Sequence, residues 1–319
     1  VALGEFDDLK IVALAGGVGG AKLAHGLAGI LPPENLTVVV NVADDFELFG
    51  LTICPDLDTV MYTLAGIASP ATGWGIAEDT FHCMESLVRL GAPAWFRLGD
   101  RDLATHLART RRLWDGETLT RVTRHLCASL GVRQKILPCT DDLLRTIVAT
   151  DEGDLEFQDY FVRRKCEPAV RGFILRGKDA ALPTREFLSA LDEADAVVFC
   201  PSNPLVSLGP ILALPGVREK VARANSVAVT PIIGGRAVKG PLAKMFRELG
   251  RDSSALEAAR EYMNLLRGFV LDREDSSLAG EIEKFGMRVE VTDTLMRDAP
   301  GRRELASRVV RFARTLAAG

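Results

Sequence analysis

The chain has 319 residues, 47% of them hydrophobic and 26% charged, with a formal net charge of -4 at pH 7. That balance belongs to a packed globular protein and excludes general disorder or collagen-like repetition, while the length allows one large domain or two modest ones. The acidic balance lacks the positive excess that draws a polyphosphate backbone, so nucleic acid is not an expected partner.

The first predicted unit is KIVALAGGVGGAKLAHGLAGIL, a short β-type apolar run that passes through glycines into a segment of helical period. Gly16, Gly17, Gly19 and Gly20 end the strand and open the helix, where backbone amides and the helix dipole favour an anion. A phosphate-bearing ligand is therefore expected here, with Lys22 beside it. Lys22 is followed by Leu23, so this is not a P-loop, and the strict dinucleotide pattern is also missing. A purely structural tight turn is the plain alternative. LTVVVNV, residues 36–42, reads as a second buried strand.

Four carboxylates follow in NVADDFELFGLTICPDLDT: Asp44 and Asp45 after the second strand, Asp56 and Asp58 after a Pro-containing turn. Hard oxygen ligands suit Mg²⁺, which can bridge phosphate oxygens, so Asp44, Asp45 and Asp56 are candidate metal ligands. Helix capping ahead of TVMYTLAGI is the alternative for Asp56 and Asp58, and a solvated turn for Asp44 and Asp45. RLGDRDLATH then reads as a loop in which Arg101 could clamp a phosphate or a planar ligand edge, or pair with Asp100 or Asp102 at the surface.

The middle is less regular, with a helix-like stretch at 119–130 and strand-like DLEFQDYFVRRK and AVRGFILRG within 151–176. It is expected to form a cap or insertion, within 66–182, on a single domain spanning 1–319. Beyond it, strands DAVVFCP, SVAVTPIIG and GFVLD alternate with helices PTREFLSALDEA, GVREKVARA, PLAKMFRELG and SALEAAREYM. That alternation predicts an α/β fold, a mostly parallel sheet flanked by helices. PSNPLVSLGPIL offers Ser202, Asn203 and Ser207 beyond a strand end, the ligand edge of an open α/β sheet. TPIIGGRAVKGP supplies Gly234, Gly235, Lys239 and Gly240, as a turn or a second anion-binding loop. The terminal GRRELASRVVRFARTLAAG reads as an amphipathic helix on the sheet edge, its arginine-rich face solvated.

The six cysteines are scattered without C-x-x-C spacing and read as reduced, mostly buried thiols. The four histidines form no H-E-x-x-H pair, and a structural role is expected of them. No uncharged apolar run reaches the roughly 18 residues that cross a bilayer, and VALGEFDDLK carries acids where a signal peptide needs basic residues. A cytoplasmic protein without membrane contact is expected.

The ordered set GGVGGAKL, NVADDFELFGL, CPDLDTVMYTLAG, LGDRDLATH, PSNPLVSLGPIL, TPIIGGRAVKGP and DTLM resembles the signature segments of the 2-phospho-L-lactate transferase family of coenzyme F-420 biosynthesis, over nearly the whole chain. The resemblance implies a Rossmann-like, often dimeric, Mg²⁺-dependent cytoplasmic enzyme. Its substrates would be the deazaflavin Fo and a guanosine diphosphate-linked three-carbon acid, with a phospholactyl-type group passed to the ribityl hydroxyl of Fo and GMP released. Carried over position by position, it places Asp58 and Arg97 or Arg101 at the deazaflavin, with Asp45 the leading metal ligand and a possible proton acceptor. A nucleotide-sugar-binding regulatory factor of related fold, which binds without turnover, is the principal alternative. A nicotinamide oxidoreductase, motivated by the glycine loop alone, is a third.

Overall fold

The computed structural model describes residues 5–317; the opening VALG and the final Ala318 and Gly319 of the segments read above lie outside it. β1 (Ile11–Ala15) is five consecutive apolar residues, all buried, as a strand covered on both faces requires. The chain turns at Gly16 into α1 (Gly17–Ala28) and returns as β2 (Leu36–Val40). A small hairpin, β3 (Phe46–Leu48) with β4 (Leu51–Ile53), delivers α2 (Pro55–Leu64). Helices α3 (His82–Arg89), α4 (Asp100–Trp114) and α5 (Leu119–Ser129) precede β5 (Lys135–Pro138). Strands β6 (Arg145–Thr150), β7 (Gly153–Glu156) and β8 (Val170–Arg176) then form a separate antiparallel sheet in the order β7-β6-β8.

The second half alternates as the sequence predicts. α6 (Arg185–Glu193) leads to β9 (Ala196–Phe199), and α7 (Leu208–Leu212) with α8 (Val217–Arg223) leads to β10 (Ser226–Val229). The two-residue arms β11 (Ile232–Ile233) and β12 (Arg236–Ala237) close a hairpin, followed by α9 (Leu242–Glu248), α10 (Ala255–Arg260) and β13 (Gly268–Asp272). α11 (Ala279–Glu283), β14 (Arg288–Thr292) and α12 (Ala299–Ala317) complete the described chain.

Seven strands build the main sheet in the order β14-β13-β10-β9-β1-β2-β5, and every pairing in it is parallel. The chain thus runs outward from β1 through β2 to β5, then returns to β9 on the other side of β1. Loops leaving the carboxyl ends of β1 and β9 diverge, which opens a crevice at the switch point where open α/β sheets bind ligands. The α/β, Rossmann-like expectation is met.

Three local expectations are corrected, and three strands went unread. DLEFQDYFVRRK is strand only through Glu156; Asp159–Arg163 is a π-helical turn, and Phe157 and Phe161 stack with centroids 5.5 Å apart, a contact that residues four apart make on a helix. Its alternating apolar and polar residues mimic a strand. RLGDRDLATH is not one loop, because α4 begins at Asp100. The terminal helix α12 lies against α1 and over β9, β10 and β13, on the sheet face and not its edge. Strands β5, β6 and β14 carry too few apolar residues in a row, or too many exposed polar ones, to stand out as buried strands.

Candidate functional site

A cavity of about 380 Å³ opens at the switch point. One wall is the glycine loop. Gly17 sits at φ +61°, left-handed backbone that glycine favours, and its N–H donates to Asp56 Oδ1 at 2.7 Å. A Cβ on Gly19 would lie 2.3 Å from the carbonyl oxygen of Pro201, so the loop and the end of β9 touch as backbones. Ser202 locks the two together: its Oγ accepts from Gly16 N at 3.0 Å and donates to Gly16 O at 2.8 Å. Gly16, Gly17, Gly19 and Lys22 line the cavity, whereas Gly20 packs behind them against Ser202 and Ala15.

The acidic residues divide. Asp44, after β2, and Asp56 and Asp58, in the first turn of α2, all line the cavity. The N-cap of α2 is Cys54, so neither Asp56 nor Asp58 caps that helix. Asp56 instead accepts from the Gly17 amide and, at 3.0 Å, from the Asn41 side chain, tying the second strand and the glycine loop to one carboxylate. Burial, opposed by those two hydrogen bonds, raises the Asp56 pKa to about 6. Asp44 is pushed well above the ordinary carboxylate range by burial and then by repulsion from Asp56, and its Oδ1 has no partner within the protein. Asp45 turns away from the cavity wall. It is buried against the Cys54 thiol, its Oδ1 also unpartnered, and burial lifts its pKa to about 7. Among the described residues no three His, Cys, Asp or Glu side chains form a ready metal-ligand group. A repelling carboxylate pair with an orphaned oxygen nevertheless fits Mg²⁺, which takes one or two carboxylates and completes its shell with water and substrate phosphate.

Asp58 leads into a buried network on α2 and α4. Both of its oxygens accept from the Arg109 guanidinium, Oδ2 from Nη1 at 3.0 Å and Oδ1 from Nη2. Arg109 is 1% exposed; burial acts against its charge, but attraction to Asp58, Cys54 and Tyr62, together with its hydrogen bonds to Asp58, raises its pKa above the ordinary value. Arg109 Nη1 also lies 3.1 Å from His106 Nδ1, and Tyr62 Oη donates to Asp102 Oδ1 at 2.7 Å. Burial alone would raise the Asp102 pKa, but His106, Tyr62 and Arg109 together hold it below the ordinary value.

The basic candidates also separate. Arg97 lines the cavity with its guanidinium 3.7 Å from the Phe81 ring centroid. Arg101 lies outside the lining, bonded through Nη1 to the Ala77 carbonyl at 3.1 Å. Lys22 donates to Met296 O at 3.2 Å, and burial, with Arg302 and Lys239 nearby, lowers its pKa. Lys239 lines the cavity and donates to Thr72 O at 2.6 Å, joining two segments over the mouth. Gly234 and Gly235, both at positive φ, form the β11–β12 turn outside the lining, while Gly240 reaches it. Ser207 and Asn203 line the cavity; Asn203 Oδ1 accepts from Leu205 N at 2.9 Å, organising its own turn.

The sequence model of the 2-phospho-L-lactate transferase CofD family matches residues 11–310. The chain belongs to this family. A phosphoenolpyruvate transferase of Thermobifida fusca is 42% identical over 89% of this chain and 93% of its own. A 2-phospho-L-lactate transferase of Methanosarcina acetivorans is 41% identical over 94% of this chain and 98% of its own. A solved UPF0052-family protein of Bacillus halodurans shares the fold with a TM-score of 0.63 at 15% identity, covering 95% of this chain and 99% of that one.

Sequence reasoning missed Asn41, Tyr62, Asp102, His106 and Arg109 as parts of the site, and the aromatic side chains Trp74, Phe96, Phe157 and Phe161 on the cavity wall. One signal was available. Asp102, His106 and Arg109 stand at i, i+4 and i+7, a polar stripe at the period of a buried helix face.

Proposed function

We propose that the chain transfers a phospholactyl-type group, phospholactate or phosphoenolpyruvate, from a guanosine diphosphate-linked donor to the ribityl hydroxyl of Fo, releasing GMP, in the cytoplasmic synthesis of coenzyme F-420. The observation that carries this reading is the junction of the glycine loop with Asp44 and Asp56 inside one cavity. Loop amides and Lys22 hold the donor diphosphate, and Lys22 is suited to an anion because its own surroundings leave its charge uncompensated. Asp44 and Asp56 would hold Mg²⁺, which when bound supplies charge neutralisation for the diphosphate and the leaving oxygen. The aromatic wall excludes water and offers faces for planar rings. As the acceptor hydroxyl loses its proton, a new P–O bond forms at the phosphorus bearing the acid, and the bond to the GMP oxygen breaks. Covalent attachment to the enzyme is not needed.

The relatives bear names of both acids at similar identity, which supports the transfer and leaves the donor to experiment. Purified enzyme is incubated with Fo and a panel of guanosine diphosphate-linked acids, and both GMP and the deazaflavin product are followed by mass. GMP release that depends on Fo, is abolished by EDTA and returns with Mg²⁺ is the expected result. Full activity in exhaustively metal-free enzyme would remove the metal from the reading, and donor binding without turnover would favour a regulatory binding protein. Stoichiometric bleaching of Fo by NADPH would favour an oxidoreductase.

A further inference from the structure

The packing of α1 against α12 gathers positive charge on one side of the cavity. Gly26 brings the two helices so close that a Cβ there would collide with the Arg302 carbonyl, which sets Arg302 among the basic groups of α1. Lys22 and His25 both feel its charge. Burial, then Arg302, lowers the pKa of each, with Lys239 adding to the effect on Lys22 and Arg303 to that on His25. No carboxylate answers Lys22: it donates to the Met296 carbonyl, as Lys239 does to that of Thr72. Asp298, the one acid that supports the Arg302 charge, is engaged through Oδ1 by the Gly301 amide. Arg302 Nε is enclosed without a partner, whereas its two Nη atoms are neither enclosed nor hydrogen-bonded within the described residues. Like charges gathered at a half-buried place without a counter-ion repel one another and attract an anion.

We propose that Arg302, together with Lys22, forms a carboxylate subsite that selects donors carrying an acid. This place is separate from the phosphate site at the loop. Lys22 is five residues beyond the Gly17 amide, about 7.5 Å along the helix axis, and Arg302 acts on both Lys22 and His25, nearly a turn further. The inference rests on the transferase reading for the donor itself: with its diphosphate on the loop amides, the anion left over is the carboxylate, one carbon from the phosphate ester oxygen. A guanidinium with both Nη atoms free suits that group, because two parallel N–H donors match its two oxygens. Lys22 and Met296 line the cavity with Arg302 beside them outside the lining, so its guanidinium meets the ligand by turning about its flexible stem.

Two ligands test it by calorimetry on the full chain with Mg²⁺: guanosine diphosphate linked to lactate, and the guanosine diphosphate ethyl ester, which keeps the diphosphate and lacks the carboxylate. The unaltered protein binds the lactyl compound tighter by about tenfold or more, the worth of a charge-assisted hydrogen bond. Arg302→Gln loses that preference while its affinity for the ethyl ester stays within about threefold of native, so the ester doubles as the check that the site is still folded. Arg302→Lys, which keeps the charge and not the fork, retains part of the preference and carries the same comparison if Arg302→Gln does not fold. Equal binding of the two ligands by the unaltered protein overturns the proposal. So does an equal loss of affinity for both in the variants, which would make Arg302 a phosphate contact, or a preference that survives Arg302→Gln. Failure of the transferase reading shows differently, as a preference for the lactyl compound with no GMP release when Fo is added.

Discussion

Asp44 and Asp56 are kept close at a cost to the fold, since burial and mutual repulsion both act against charge on Asp44. Asp44→Asn removes that repulsion and still hydrogen-bonds, so the metal-free protein should become more stable by about 1 kcal/mol. The same change removes an oxygen from the proposed Mg²⁺ site, and turnover should fall by about a hundredfold or more. Melting curves in EDTA, set beside GMP release in Mg²⁺, check both halves; a variant that is less stable and equally active sinks the pairing argument. Asp58→Asn has the opposite signature. Arg109 would stay buried opposite an amide that turns a donor toward it, and breaking such a pair costs about 3–5 kcal/mol. The variant should melt lower and use Fo poorly, whereas a protein of unchanged Tm and Fo affinity would show that the Asp58–Arg109 pair supports neither.

At the scale of elements, the close contact between the glycine loop and the end of β9 sets the width of the crevice. Gly19→Ala would push a methyl group into the Pro201 carbonyl, contact that only a backbone shift can relieve. We expect a stability loss of about 1–3 kcal/mol and, on the proposed function, a donor KM raised more than that of Fo, because the displaced amides are those proposed to hold the diphosphate. An Ala variant with native donor KM would place the diphosphate elsewhere. This loop was legible in the sequence because glycine spacing and an apolar run are local signals, and so were β9, β10 and β13 with the helices between them. Asp44 and Asp56 were legible as chemistry, but Asp45 was not separable from Asp44, since the direction of two adjacent side chains is settled by the packing around Cys54 and Asn41. The Arg109 network was hidden for a similar reason: its partner Asp58 is 51 residues away, and helix period marks a buried face without naming what it meets.

For the whole molecule, the cavity draws on segments from both halves of the chain and on the middle sheet. β1 and β2 bring the glycine loop and Asp44; the ends of β9 and β10 bring Ser202, Asn203, Thr230 and Pro231; the turn after β7 brings Phe157 and Phe161. Two connections meet over the mouth where Lys239 donates to the Thr72 carbonyl. A ligand filling this space binds only the assembled fold, so donor at a hundred times its Kd should add about 2.7 kcal/mol and raise Tm. Because the contacts are spread along the chain, hydrogen exchange should slow in the glycine loop, around residues 69–76 and around 236–241 at the same ligand concentrations. The two mouth segments are far apart in sequence and share the Lys239 bond, so Lys239→Ala should uncouple them: the glycine loop should still be protected, but protection of 69–76 should diminish. Protection of 69–76 that is unchanged in Lys239→Ala would show that ligand contacts alone order that segment and that the bridge contributes nothing to closing the mouth.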